Sequence, residues 1–401
     1  MKEIVILGAG YAGLSALHVL QKSSADIHIT LVDRNDYHYE STALHEVAAG
    51  TQSGEKISYP IMDVVNPKKT TFLQKTVEKI NADEQSVLLT DGQSLNYDYL
   101  IVGLGFQSET FGIPGADVNA LEMVDVKTAA KVYEHIEAQL KEYKTSKDEA
   151  SLRIVVCGAG FTGIELVGSL VENTKHFAEI AGVKPEQIEI YNVEAADKIL
   201  PMFSDKLGQY AINHFKKWGV KLMTGKMIKE VRPNEVVYQN GKDGDLESLH
   251  AKTIIWTTGV SGNKIVGESG FEERRGRVMV KPNLTDPTYD NVYILGDVAA
   301  VMDPASNRPY PTTAQIALKM GHYAGKDILN QMSGKASTPF SFKSLGSVAS
   351  IGNTHALGLV GKAEMTAYPA SVMKKVIADR SLLKTGGLKE VFAKGRFDFY
   401  H

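Results

Sequence analysis

The chain has 401 residues, 43% hydrophobic and 23% charged, with a formal net charge of −3. That length supports two or three domains with full cores, and the weak acidic balance gives no electrostatic reason for a nucleic-acid partner. No run approaches the roughly 18–20 apolar residues of a transmembrane helix, and the single cysteine, Cys157, leaves no internal disulfide.

The chain begins with the apolar run Ile4-Val5-Ile6-Leu7 and continues Gly8-Ala9-Gly10-Tyr11-Ala12-Gly13. This reads as a buried strand, a glycine turn and a helix start. Glycines there permit a tight turn and close backbone approach to a pyrophosphate resting on the helix N-terminus. A strand at the very start leaves no room for a signal peptide, so a cytoplasmic location, or the cytoplasmic membrane face, is expected. Residues 27–33 predict a second strand ending in Asp33, about where a carboxylate takes the ribose hydroxyls of an adenosine. Residues 71–90 read as strands of a meander. Residues 97–105 predict a strand that returns to the first sheet and ends in Leu104-Gly105. The spacing of Ala129, Ala130, Val132, Ile136 and Leu140 predicts a helix within 125–149.

A second copy of the opening signature starts at Ile154-Val155-Val156-Cys157 and continues Gly158-Ala159-Gly160-Phe161-Thr162-Gly163. Two fingerprints imply two dinucleotides, which suits passing electrons from a nicotinamide to a flavin. Cys157 ends the strand and reads as a small core residue, which disfavours redox-dithiol, sulfide-oxidising and peroxidatic chemistry. Residues 188–194 repeat the strand-then-acid pattern. Glu194 is the candidate ribose ligand there, and its charge would repel a 2′-phosphate, favouring NADH over NADPH. The interval from Gly163 to Glu194 exceeds that of the first copy and predicts a longer helix or an insertion. Residues 253–259, ending at Gly259, close this unit.

Residues 291–297 predict a strand returning to the first sheet, with Asp297 placed under a flavin's ribityl chain. Pro311-Thr312-Thr313 predicts a capped helix to about Leu329, with Ala314 and Gln315 in its first turn. From Ala367 onward short helical runs (372–377 and 388–392) carry seven lysines and arginines against three carboxylates. Leu382, Leu383, Phe392, Phe397, Phe399 and Tyr400 accompany them. Basic amphipathic helices of this kind lie on anionic membrane surfaces, and packing on a partner subunit is the alternative.

The expected fold class is α/β, with two Rossmann-like dinucleotide-binding domains and a C-terminal amphipathic helical tail. The expected division is a first nucleotide unit at 1–113 and 281–335, a second at 114–280, and a C-terminal region at 336–401; the family resemblance carried by the motifs that follow implies that these are the FAD-binding domain, the NADH-binding domain and a membrane-docking and dimerisation region. Glu165, two residues beyond the second glycine turn, reads as a first-turn helix acid facing the cofactor crevice.

Further motifs are Tyr37-His38-Tyr39-Glu40, Leu44-His45-Glu46, Leu104-Gly105-Phe106, Gly163-Ile164-Glu165, Gly296-Asp297 and Pro311-Thr312-Thr313-Ala314-Gln315-Ile316-Ala317. In order and spacing, from end to end, the chain resembles the type II NADH dehydrogenases, single-subunit NADH:quinone oxidoreductases of bacterial membranes. The resemblance implies FAD held by Gly8, Gly10, Tyr11, Ala12, Gly13, Asp33, Arg34, Thr42, His45, Val77, Leu104, Gly105, Asp297, Ala314 and Gln315. It implies NADH held by Gly158, Gly160, Phe161, Thr162, Gly163, Glu194 and Gly259. It further implies a homodimer on the cytoplasmic face of the membrane and a hydride passed from NADH to FAD. Two electrons then go to a menaquinone-type quinone without proton pumping. Glu165 and Lys374 are the implied catalytic residues, with Gln315, Lys319 and Ile377 near the quinone; no metal is implied. Lys319 stands where the family usually carries a second glutamine, and lysine only donates where glutamine also accepts. A soluble NADH oxidase using dioxygen and a non-catalytic NADH-sensing flavoprotein are the competing readings.

Overall fold

The structure, a computed structural model, describes residues 1–397. Phe399 and Tyr400 lie outside the described residues. Strand β1 (Lys2–Leu7) turns through glycine into α1 (Tyr11–Gln21), followed by β2 (Ile27–Asp33), α2 (Leu44–Ala48) and β3 (Thr70–Gln74). An antiparallel meander of β4 (Val77–Asn81), β5 (Ser86–Leu89) and β6 (Ser94–Asn96) precedes β7 (Tyr99–Val102). Then come β8 (Leu121–Glu122), α3 (Val126–Ser146), β9 (Arg153–Cys157), α4 (Phe161–Glu172), α5 (Thr174–Ala181) and β10 (Glu189–Val193). They are followed by α6 (Asp205–Lys217), β11 (Lys221–Met223), β12 (Thr253–Trp256), β13 (Val292–Ile294) and α7 (Ala314–Met332). A hairpin sheet of β14 (Gly346–Ser350), β15 (Ala356–Val360) and β16 (Ala363–Thr366) leads into α8 (Ala367–Lys394).

Two parallel five-stranded sheets organise these elements, in the orders β13-β7-β1-β2-β3 and β8-β12-β9-β10-β11. Strands covered on both faces bury every residue, so they read as continuous apolar runs rather than alternating ones. Ile4, Ile6, Ile29 and Leu31 are fully buried in the first sheet, and Val155, Val156 and Ile255 in the second. Helix α7 lies close on α1, because a Cβ on Gly321 would stand 2.0 Å from the Ala12 carbonyl oxygen.

Three expectations change, and one is met: the long interval before Glu194 holds an insertion. Thr71–Leu73 belong to β3, which pairs with β2 in the parallel sheet, so the meander starts only at Val77. A second helix, α5, fills the long interval before Glu194. The tail is one helix, α8, broken at Gly387 (φ 76°, ψ −172°), a conformation glycine adopts at little cost. Val266, Phe271 and Val278, expected with the second nucleotide unit, are buried in the core of the first. Among the described residues no helix is long and apolar enough to cross a membrane.

Candidate functional site

The first glycine turn shapes a groove of 240 Å³. Gly8 sits at φ +98°, and a Cβ on Gly13 would stand 1.8 Å from the Gly8 carbonyl oxygen. Only glycine fits either position. A Cβ on Gly10 would meet nothing within 4 Å, so the backbone there faces open space. No side chain caps α1, which leaves its first-turn N–H groups to an incoming anion. Asp33 accepts from the Ala9 N–H (2.7 Å) with one oxygen and from the Asn35 N–H (2.8 Å) with the other. Each oxygen keeps lone-pair capacity for a ribose hydroxyl. Tyr11, Ala12, Arg34, Val77, Leu104, Gly105 and Asp297 complete the expected lining. Burial pushes the Asp297 carboxyl up, opposed by Arg277 and a hydrogen bond from Thr312. This cradle fits a dinucleotide.

The second turn repeats the design. Gly158 sits at φ +101°, a Cβ on Gly163 would stand 2.0 Å from the Gly158 carbonyl oxygen, and Gly160 again faces open space. Glu194 accepts from the Ala159 N–H (2.6 Å) and the Ala196 N–H (2.8 Å), as Asp33 does in the first copy. Phe161 packs edge-on against Phe203, Thr162 opens α4 beside it, and Gly259 lies so near Phe111 that a Cβ would come within 2.7 Å of its ring.

A larger cavity of 360 Å³ lies between α2, α4, the β14–β15 turn and α8. Lys374 lines it and reaches back to the buried Glu165, 209 positions away, with Nζ 2.7 Å from Oε1. Glu165 is in the second turn of α4 rather than the first, because α4 starts at Phe161. It also accepts from the Ser350 N–H at 3.0 Å, and His45 Nε2 stands 4.0 Å from its other oxygen. Burial alone would push the Glu165 carboxyl up. The Lys374 charge, His45 and the hydrogen bonds outweigh it and hold the group below the ordinary carboxylate range. Burial keeps His45 below the usual imidazole range, with Glu165 and Glu46 pulling the other way. His45 Nδ1 lies 2.9 Å from the Ser169 hydroxyl.

Thr42 and His45, expected beside the flavin, line this second cavity. Ala314 opens α7 behind its Thr313 cap. Gln315, Lys319 and Ile377 line neither cavity. The Gln315 side chain is turned to the backbone, accepting from the Leu345 N–H at 2.8 Å. Lys319 and Ile377 face outward. Sequence reasoning missed Ser169, Ser350 and Tyr59, none of which carries a local signal; Glu40 stood in a quoted motif with no role assigned.

Two dinucleotide turns on parallel sheets, flanking a charge-paired cavity, define a two-nucleotide flavoprotein oxidoreductase. Residues 2–321 match the pyridine nucleotide-disulphide oxidoreductase family. Cys157 is fully buried, and burial pushes its thiol up to about 12, so no dithiol chemistry accompanies the fold. The chain is 40% identical over 400 residues to the type II NADH:quinone oxidoreductase of Staphylococcus saprophyticus, covering 99% of each chain. It is 39% identical, over the same length and coverage, to that of Staphylococcus aureus strain MSSA476. The chain belongs to the type II NADH:quinone oxidoreductases. Its fold is shared with NDH2 of Plasmodium falciparum in complex with NADH (TM-score 0.85, 18% identity, 98% and 97% of the two chains). It is shared also with the sulfide:quinone oxidoreductase of Aquifex aeolicus (TM-score 0.77, 19% identity, 99% and 96%).

Proposed function

We propose that the protein oxidises NADH and reduces a menaquinone-type membrane quinone, without pumping protons. The buried Glu165–Lys374 pair carries this reading, since Lys374 lines the cavity between the two nucleotide units and holds a charge-tuned carboxylate behind its wall. Gly8, Gly10, Gly13 and the α1 N-terminus would hold the FAD pyrophosphate, Asp33 its ribose, and Asp297 its ribityl hydroxyls. FAD supplies the two-electron carrier between nicotinamide and quinone. The second glycine turn would hold the NADH pyrophosphate, and Glu194 the adenosine ribose. Lys374 keeps the Glu165 charge in place, and Ser350 fixes its orientation. Gln315, Lys319 and Ile377 would mark the acceptor's approach from the α8 surface.

Steady-state NADH oxidation by the FAD-loaded protein tests this reading, with a menaquinone analogue against oxygen alone. A rate indifferent to quinone would defeat it. Glu194→Gln should narrow the preference for NADH over NADPH by roughly tenfold or more. It removes a charge-assisted bond of about 1.5–3 kcal/mol and the repulsion of the 2′-phosphate. An unchanged ratio of kcat/KM values would remove Glu194 from nucleotide selection.

Membrane docking through α8 belongs to the same proposal. Val376, Ile377 and Leu383 are exposed on α8 before its break and Leu388 and Phe392 after it, with Arg380 and Lys384 exposed among the first group. Lys319 and Arg380 both crowd Lys384, whose ammonium burial and these charges push down. Binding to anionic vesicles should exceed binding to neutral ones and fall with salt. Replacing Leu388 and Phe392 by serine should weaken it at least about tenfold; equal co-sedimentation of that variant would rule α8 out as the anchor. A homodimer also belongs to this reading, and light scattering of the detergent-free protein tests it.

A further inference from the structure

A buried polar cluster lies in the wall between groove and cavity. His38, Glu40, Tyr59 and Glu390 are each at least nine-tenths buried. His38 Nε2, Glu40 Oε1 and Glu390 Oε1 have no hydrogen-bond partner among the described residues, and the Tyr59 hydroxyl has Thr385 beside it. Lys389, mostly exposed, stands 3.8 Å from Glu390 Oε1. The His38 and Tyr59 rings stand 5.1 Å apart, and a Cβ on Gly386 would come within 3.2 Å of Tyr59 Cζ and 2.6 Å of Glu390 Cβ. Gly386, beside the break in α8, thus leaves room for Glu390 to reach inward.

The hydrogen-bond directions in this cluster are constrained. His38 Nδ1 lies 2.8 Å from the Ala9 carbonyl oxygen, which can only accept, so Nδ1 carries a hydrogen. In the neutral ring Nε2 is then an acceptor. It faces Glu40 Oε1, another acceptor, at 3.7 Å. Two buried acceptors so placed need a hydrogen between them, on one of the two atoms or from a bridging water. The other Glu40 oxygen accepts from the Tyr11 hydroxyl at 2.8 Å. Glu40 and Tyr59 line the large cavity, and Tyr11 and His38 line the dinucleotide groove. The cluster therefore spans the wall.

The reaction needs such a conduit. NADH yields two electrons and one proton as hydride, whereas reducing a quinone to a quinol consumes two electrons and two protons. One proton per turnover must come from solvent. We propose that His38 and Glu40 hold one exchangeable proton between them and that Tyr11 passes it from the cavity side into the dinucleotide groove. When the Glu40 carboxyl turns its protonated oxygen from His38 to Tyr11, it donates to the phenol oxygen while the phenol releases its own hydrogen into the groove, where it supplies the second proton of the quinol; the phenol oxygen keeps the Glu40 proton, and Glu40 is left as carboxylate. Glu40 lines the cavity, from which it reloads. This inference rests on the quinone-reductase reading.

Glu40→Gln keeps an oxygen for the Tyr11 hydroxyl but cannot carry the proton, and Tyr11→Phe removes the relay oxygen. The FAD-loaded enzyme is reduced anaerobically with NADH and mixed with a soluble naphthoquinone, in water and in deuterium oxide. The ratio of the quinone step to the hydride step is read within each sample. That ratio should fall about 100-fold in both variants, with partial recovery in Glu40→Asp. Redox-difference infrared spectra of the parent should show a protonated-carboxyl band that shifts in deuterium oxide and is lost in Glu40→Gln. Parental ratios in both variants, or a carboxyl band that survives Glu40→Gln, would overturn the relay. If Glu40→Gln fails to retain flavin, Tyr11→Phe decides by the same ratio. A parent whose flavin quinone does not reoxidise would defeat the quinone reading instead, which keeps the two failures distinct.

Discussion

Replacing Glu165 by glutamine is expected to cut quinone-dependent NADH turnover about 100-fold, the low end of what a positioned acid–base group contributes. The amide keeps its bond from the Ser350 N–H, so the fold should survive. Turnover at the parental level would remove Glu165 from the chemistry. Lys374→Met probes the same pair from the other side. It leaves a buried carboxylate without its cation, a loss of about 3 kcal/mol. The pH dependence should also reverse. In the parent, Glu165 lies below its ordinary value, so its stabilisation is present above that value and disappears as pH falls through the lowered one. In Lys374→Met burial dominates and the carboxyl rises above its ordinary value. That variant should be destabilised near neutral pH and recover on acidification to about pH 5. Thermal unfolding at both pH values reads the sign. The double variant Glu165→Gln with Lys374→Met should be more stable than Lys374→Met alone, since no unpaired charge is left buried.

The second large effect concerns the glycine turn. Gly13→Ala sets a methyl 1.8 Å from the Gly8 carbonyl oxygen, which is backbone and cannot step aside. The turn must open, at more than the roughly 1–3 kcal/mol of ordinary overpacking. Both thermal stability and retained flavin should drop, the latter at least about tenfold in affinity. Gly10→Ala is the informative contrast. Its methyl meets no protein atom within 4 Å and points into the groove. The apoprotein should unfold at the parental temperature, yet flavin should be lost. If Gly10→Ala retains flavin fully, the pyrophosphate does not rest where the turn suggests.

Much of this was legible in the sequence because it is local. A strand, a glycine turn and a helix start lie within a dozen residues, and the acids that close each turn come at the end of the next strand. Asp33 and Glu194 reach the Ala9 and Ala159 amides in the same way, as the matched patterns imply. Contacts between distant segments were not legible. Nothing near Lys374 announces that it faces Glu165; only the family resemblance brought the two together. Thr71–Leu73 looked like part of the meander because a three-residue apolar stretch does not say which sheet takes it. His38 and Glu40 share one segment with a motif, but Tyr59 and Glu390 come from others, and the burial that brings the four together exists only in three dimensions. Ile377 and Lys319 show the converse, since helical position alone does not fix whether a side chain turns inward or out.

The strand order of the first sheet bears on how the chain is made. Its edge strand β13 pairs with β7, yet nearly 190 residues separate them, and the whole second sheet is threaded between. A chain leaving the ribosome can finish the second sheet, whose strands all fall between Leu121 and Trp256, before β13 exists. Domains fold as units during synthesis, so the nicotinamide unit should mature first. The Asp297 wall and the α7 layer that close the flavin groove emerge last. Flavin capture is therefore a late event in biogenesis, and a nascent chain stalled before Asp297 should be protease-resistant across residues 121–256 while still colourless.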